Sequence, residues 1–170
     1  MEFLQSIKDQ TPDFAKDIRL NLDSVVGRSS LAAEDATAVA LAAAFAAKSK
    51  LLIDAFAAAT PEAERNAALT AASLMGMNNV WYPYVEMADD ADLKTQRAEL
   101  RMTAYASHGG VTKAKFESYA LAASIVGKCH FCVKSHYDLL KTEGLSAQQL
   151  RDIGRIAAVV NAAAQVLNAR

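Results

Sequence analysis

The chain has 170 residues, enough for one domain with a sizeable core or for two closely packed halves. Hydrophobic residues make up 52% of it and alanine roughly a fifth, while the formal net charge is only −1. The charges are mixed along the chain, so there is no basic stripe to mark a nucleic-acid partner and no acidic tail to mark disorder. The first residues have neither the basic start nor the long apolar core of a signal peptide, and no uncharged run reaches the roughly 18 residues a spanning helix needs. A cytoplasmic protein without a membrane partner is expected.

Thr11-Pro12-Asp13 reads as N-cap, first-turn proline and first-turn acid, opening a helix to about Val26 with Phe14, Ile18, Leu22 and Val25 as its buried stripe. Gly27 to Ser30 makes a loop. Helices follow over about Ala33–Ala47 and Leu51–Ala58. Thr60-Pro61-Glu62 repeats the start signal and opens a long helix toward Trp81, stopped by Pro83. Gly76 inside it lowers helix propensity, which predicts a close approach to a neighbour. Asp89-Asp90-Ala91-Asp92 reads as a solvated turn or cap, Leu93–Ala106 as helix, and His108-Gly109-Gly110 as a break. Thr112–Val126 is the next helix, and Glu143-Gly144 ends the one after it. Ser146 and Gln149 form a capping box for a final helix through Ile153, Ile156, Val160 and Leu167. No alternating strand pattern occurs, so the fold class is all-α.

The only two cysteines lie in Gly127-Lys128-Cys129-His130-Phe131-Cys132-Val133-Lys134-Ser135-His136. Gly127 reads as the C′ glycine between two helices, which puts Cys129 near the first turn of the second, where free N–H groups and the helix dipole favour a thiolate. At about 100° per residue, Cys132 lies roughly 60° and His136 roughly 20° from Cys129 on the helix surface. Two sulfurs and one imidazole therefore share a face, while Phe131, roughly 160° away, points toward a core and His130 points off the cysteine face. Thiols at i and i+3 can close a disulfide. Redox chemistry is the leading reading of such a pair. The others are a zinc site using Cys129, Cys132 and His136, which lacks a second cysteine pair, and an inert apolar pair.

A shift of 80 residues lays Ala40-Leu41-Ala42-Ala43 on Ala120-Leu121-Ala122-Ala123 and Lys48 on Lys128. Ser49 then falls on Cys129, Leu52 on Cys132, Phe56 on His136 and Thr37 on Glu117. This predicts a single domain over 1–170 with an internal helical repeat. Its first copy covers about 33–88 without the thiols, and its second about 112–168 with them. Glu117 stands nine residues before Val126, about 13 Å up its helix. In a helical hairpin it comes level with His136, where a carboxylate can orient an imidazole that serves a cysteine.

Glu117, the Cys129-x-x-Cys132 pair and His136 together resemble the E…C-x-x-C-x-x-x-H pattern of the alkylhydroperoxidase D (AhpD) family in the carboxymuconolactone decarboxylase-like superfamily. Pro12–Leu22 is similar to that family's opening helix, and Met75-Gly76-Met77-Asn78-Asn79-Val80-Trp81-Tyr82 to its M-G-M-N-N-V-[FW]-Y segment. The resemblance implies an AhpD-like helical fold with an internal repeat, assembled as a homotrimer. It implies a reductase that carries electrons from dihydrolipoamide, or a lipoyl-bearing protein, to the peroxiredoxin AhpC, with weak direct reduction of alkyl hydroperoxides. No tightly bound cofactor and no metal are implied. Cys132 would be the attacking cysteine, Cys129 its resolving partner, and His136 and Glu117 the relay. The family often carries a histidine immediately before the second cysteine. Here that place is Phe131 and His130 stands one earlier, leaving His130 a possible accessory residue. The rival within the superfamily is decarboxylase or ring chemistry, which gives no reason for two thiols on one face. A metal-binding or purely structural helical protein is the remaining alternative.

Overall fold

The computed structural model describes residues 2–169, and among them there is no strand. Ten helices follow one another: α1 Glu2–Asp9, α2 Lys16–Val25, α3 Ala33–Ala46, α4 Lys50–Ala59, α5 Glu62–Ala88, α6 Ala91–Thr95, α7 Thr103–Ala106, α8 Lys113–Gly127, α9 His130–Thr142 and α10 Ala147–Asn168. Short 3₁₀ turns at Asp13–Ala15 and His108–Gly110 complete the order. The all-α class expected from the sequence is what the chain adopts.

Two helices make the centre. In α3 every residue from Ala36 to Ala44 is buried, and in α8 every residue from Phe116 to Ser124. A helix apolar all round has no solvent face and must lie inside. Alanine on both lets the axes approach closely, and α5 and α10 pack around the pair. Larger side chains fill the remaining space, among them Leu22, Leu41, Phe56, Met75, Phe116 and Ile153, all fully buried. Asp152 of α10 ties in the loop before α3 by accepting the Ser30 N–H at 2.8 Å while pairing with Arg151 and Arg155.

Several local expectations are corrected. The helix expected to open at Thr11 begins only at Lys16, after a 3₁₀ turn at Asp13–Ala15, and a helix not expected from the sequence, α1, precedes Thr11. Thr11 and Thr60 are not N-caps. Their hydroxyls donate to the carbonyls four residues back, Ile7 at 2.9 Å and Phe56 at 2.7 Å, so each closes the preceding helix instead of opening the next. Phe14 is 84% exposed, because the 3₁₀ turn takes it out of register with Leu22 and Val25. Pro83 does not stop α5, which runs on to Ala88. Proline removes only the N–H that Asn79's carbonyl would have accepted, a loss a long packed helix tolerates. Gly76 meets no neighbour within 4 Å of where a Cβ would sit, so it opens a groove instead of admitting a close contact. Leu93–Ala106 is not one helix: α6 ends at Thr95, and an irregular stretch leads to α7.

Two caps in the second half follow the sequence: Asp90 accepts the Leu93 N–H, and the Ser146–Gln149 capping box is complete. Thr112, expected only as the start of its helix, caps it by accepting the Lys115 N–H. Glu143 and left-handed Gly144 end α9, and His108, Gly109 and Gly110 all have positive φ at the expected break.

Candidate functional site

The cysteine turn joins α8 to α9. Gly127 is the last residue of α8, not a C′ glycine; the left-handed position belongs to Lys128 at φ 56°. Glycine is required at 127 for another reason. A Cβ there would overlap the Asn79 side chain, whose amide donates to the Ala123 carbonyl at 3.1 Å and docks α5 onto the end of α8. Cys129 is the N-cap of α9, and its Sγ accepts the Cys132 N–H at 3.2 Å. Sulfur thus takes the place of the usual capping oxygen, at the end of the helix that favours negative charge.

Cys129 and Cys132 are joined by a disulfide across a Cα–Cα distance of 5.3 Å. Both residues are buried, and Cys129 Sγ lies 3.9 Å from the Asn78 carbonyl oxygen. The hairpin of α8 and α9 brings Glu117 level with His136, as its height on α8 requires. Glu117 Oε2 lies 2.5 Å from His136 Nδ1, and both side chains are withdrawn from solvent. At the far end of the hairpin, Lys113 Nζ donates to Glu143 Oε1 at 2.9 Å. The other ring nitrogen of His136, Nε2, stands 3.1 Å from Met75 Sδ of α5.

The second carboxylate oxygen of Glu117, Oε1, accepts a hydrogen bond from the Tyr105 hydroxyl. Burial pushes the Glu117 carboxyl up, but the hydrogen bonds to His136 and Tyr105 outweigh it and hold the group below its usual range. Tyr105 is shifted the other way. Burial and then the adjacent carboxylate raise the phenol well above its usual value, so it stays protonated and donating. Glu117 is therefore an ionised, fully buried carboxylate with a donor on each oxygen.

His130 is exposed and lies outside this buried group. Its Nδ1 stands 3.2 Å from Glu86 Oε1 of α5. Phe131 does not enter the core: it is 56% exposed and stacks on Tyr82 with ring centroids 4.2 Å apart. Both residues border a groove of about 740 Å³ that also includes Val85 and Lys134. One stripe of α5 thus serves the whole motif: Met75 meets His136, Asn78 meets Cys129, Asn79 faces Gly127, Tyr82 stacks on Phe131 and Glu86 pairs with His130. Those positions recur at three- and four-residue steps, one face of a helix.

Sequence reasoning placed Cys129, Cys132, His136 and Glu117 in one site, and the structure brings Glu117 to His136 and Cys129 to Cys132. It missed Tyr105, which lies in a stretch read as continuous helix, and it gave Met75 and Asn78 no role. The only signal for those two was their segment, Met75–Tyr82. Among the described residues, no group of three or more His, Cys, Asp or Glu side chains is placed to hold a metal ion.

Comparison with known proteins gives a consistent result. Residues 91–170 match the model of the carboxymuconolactone decarboxylase family. The chain is 41% identical to a protein of Rhodospirillum centenum named alkyl hydroperoxide reductase AhpD, over 98% of this chain and 91% of that one. It is 39% identical to the protein of that name from Coxiella burnetii, over 96% of both chains. A third, from Methylocella silvestris, is 41% identical over 98% of this chain and 95% of its own. With this identity sustained nearly end to end, and with the cysteine motif inside the matched domain, the chain belongs to the AhpD family of the carboxymuconolactone decarboxylase superfamily.

Proposed function

We propose that this protein is a thiol-dependent antioxidant reductase whose Cys129–Cys132 pair passes electrons from dihydrolipoamide, free or on a lipoyl-bearing protein, to an AhpC-type peroxiredoxin, with weak direct reduction of alkyl hydroperoxides. The observation that carries it is a C-x-x-C disulfide at the start of the helix that also carries, four residues after Cys132, a buried imidazole already engaged by a carboxylate. A disulfide closing so short a loop restrains the unfolded chain little, which argues for chemistry over structure. Names of the relatives support the hydroperoxide reductase class.

In this mechanism a dihydrolipoamide thiolate attacks Cys132 Sγ, and Cys129 leaves as a thiolate held by the Cys132 N–H at the start of α9. The second donor thiol then attacks the donor's own sulfur in the mixed disulfide. Lipoamide is released oxidised, and the pair is left as two thiols. His136, with Nδ1 on Glu117, has Nε2 as its basic nitrogen; that nitrogen faces Met75 Sδ in the disulfide form and serves Cys132, one helical turn earlier, once the disulfide has opened. The Cys132 thiolate next attacks either the peroxiredoxin disulfide, releasing one peroxiredoxin thiolate before Cys129 attacks Cys132 and frees the other, or the terminal peroxide oxygen. In the second case an alcohol departs, a sulfenic acid forms on Cys132, and Cys129 displaces water from it to restore the disulfide. Two thiols and one hydroperoxide thus yield one disulfide, one alcohol and one water.

A reducing cytoplasm is the setting in which such a pair is turned over. Val80, Tyr84 and Met87 lie exposed on one side of α5 and support self-association, for which we propose the trimer. Sedimentation analysis tests that part. The activity is tested by coupling the protein to lipoamide, dihydrolipoamide dehydrogenase and NADH. Free-thiol titration should rise from none to two on reduction, and NADH oxidation should require hydroperoxide or oxidised peroxiredoxin. Peroxide-dependent NADH oxidation that survives Cys132→Ser would overturn the reading.

A further inference from the structure

Tyr105 reaches the site from outside the helical repeat. It lies on α7, a single turn in the connection between α6 and α8, which is otherwise irregular apart from the 3₁₀ turn at His108–Gly110. Two contacts hold that connection in place. Gly109, at φ 60°, sits so close to α5 that a Cβ would come within 2.8 Å of Ala67, and the Tyr105 ring packs edge-on against Phe116 with centroids 5.4 Å apart. The phenol is therefore delivered to one buried carboxylate oxygen by a segment anchored on both α5 and α8.

Glu117 has two oxygens and two donors. Were Oε1 unpaired, a buried carboxylate would carry a large desolvation cost and would be free to rotate toward any other donor. We infer that Tyr105 is a positioning residue of the relay: by occupying Glu117 Oε1 it turns Oε2 onto His136 Nδ1, keeps the proton on Nδ1, and leaves Nε2, which faces Met75 Sδ in the disulfide form, as the unprotonated ring nitrogen. The Tyr105 hydroxyl donates to Glu117, and Tyr105 acts through that carboxylate. The role in turnover rests on the proposed thiol chemistry; the effect on Glu117 and His136 does not.

The groups facing Glu117 are few. His136 comes from α9 and Tyr105 from α7, and Lys113 of α8 adds a weaker positive field; His108 of the 3₁₀ turn lies beside the Tyr105 ring, with centroids 6.3 Å apart. Met75 of α5 faces His136 and does not titrate. Of the two hydrogen bonds that lower the carboxyl, Tyr105→Phe removes one and keeps the ring packing. Glu117 must then accept a proton at a higher pH than in the wild type.

The experiment is a carboxyl ¹³C NMR titration of the oxidised full-length protein, with the Glu117 signal assigned by its loss in Glu117→Gln. It is read with the ¹⁵N signals of His136 and a pH profile of kcat/KM. In Tyr105→Phe the Glu117 titration should move to higher pH, the Nδ1–H tautomer of His136 should lose population, and the acid limb of the profile should rise with the carboxyl. Below that limb kcat/KM should fall about tenfold, the scale of losing a charge-assisted hydrogen bond. In a Glu117→Gln background the same substitution should do nothing further. Replacing tyrosine with 3-fluorotyrosine makes the phenol a stronger donor without disturbing the fold. It should shift the Glu117 titration to lower pH, which tests the inference even if Tyr105→Phe fails to fold. An unmoved Glu117 titration in folded Tyr105→Phe or in the fluorinated protein would overturn the inference. Shifted NMR signals in a protein with no lipoamide-dependent peroxidase activity would sustain Tyr105's positioning role and defeat the proposed function.

Discussion

Lys48 and Lys128, 80 residues apart, hold the same left-handed backbone, at φ 58° and 56°, each at the joint between two helices. Each is followed by an extended N-cap residue that is fully buried, Ser49 before α4 and Cys129 before α9. The pairs α3 with α8 and α4 with α9 start at the same offset. Thr37, Leu52 and Phe56 are buried where Glu117, Cys132 and His136 are buried. These matched positions fit two hairpins built as copies of one unit, of which only the second carries the cysteine pair.

That correspondence sets a test of what the chemistry needs. Ser49→Cys with Leu52→Cys, made in a protein lacking Cys129 and Cys132, should rebuild a thiol pair at the first joint. Peroxidase turnover should remain at background, because Phe56 is no base and the Thr37 hydroxyl is already committed to the Ala33 carbonyl at 2.7 Å. Recovery of substantial activity would show that two thiols suffice and that the relay is dispensable.

Glu117→Gln removes the charge while keeping the shape. A positioned acid–base group contributes about 10²–10⁴-fold, and kcat should fall within that range with helical circular dichroism unchanged. Wild-type turnover in the folded variant would remove the carboxylate from the mechanism.

The same substitution changes acid stability. Because the folded carboxyl lies below its ordinary value, Glu117 contributes stability that is fully present above the unfolded-state range and is lost as pH falls through the folded value. Urea melts on acidification should therefore show the wild type losing stability faster than Glu117→Gln. Parallel curves would mean that the carboxyl is unshifted.

The sulfurs have distinct expected roles. Cys129→Ser should accumulate a mixed disulfide through Cys132 with lipoamide or the peroxiredoxin, visible by mass spectrometry, and Cys132→Ser should trap nothing. Trapping through Cys129 instead would make the start of α9, and not His136, the dominant activator.

Gly127→Ala places a methyl on the Asn79 side chain at the joint between α5 and α8. Overpacking of this kind costs about 1–3 kcal/mol, and the urea midpoint should fall with an unchanged slope. Gly76→Ala, where a Cβ meets nothing, should gain helix propensity and raise the midpoint. Equal effects at the two glycines would contradict the docking described for Asn79.

What the sequence by itself determined is mostly local. The i, i+3 spacing of the cysteines depends only on the 3.6-residue turn, and the caps at Asp90 and Ser146 depend on side chains within three residues. The level of Glu117 against His136 follows from rise per residue once two helices fold back as a hairpin. Where local signals compete, tertiary packing decided. The Thr-Pro steps close helices because Thr11 and Thr60 find carbonyls behind them, and Pro83 stays helical because α5 is long and packed. Phe131 faces outward because Tyr82 of α5 offers it a stacking partner beside the motif. Tyr105 was invisible for a different reason. Its carboxylate is twelve residues away, and the segment between has no periodicity to carry it there. Only the docking of Gly109 on Ala67 and of the Tyr105 ring on Phe116 brings the phenol to Glu117. Such contacts form between surfaces that sequence spacing does not order.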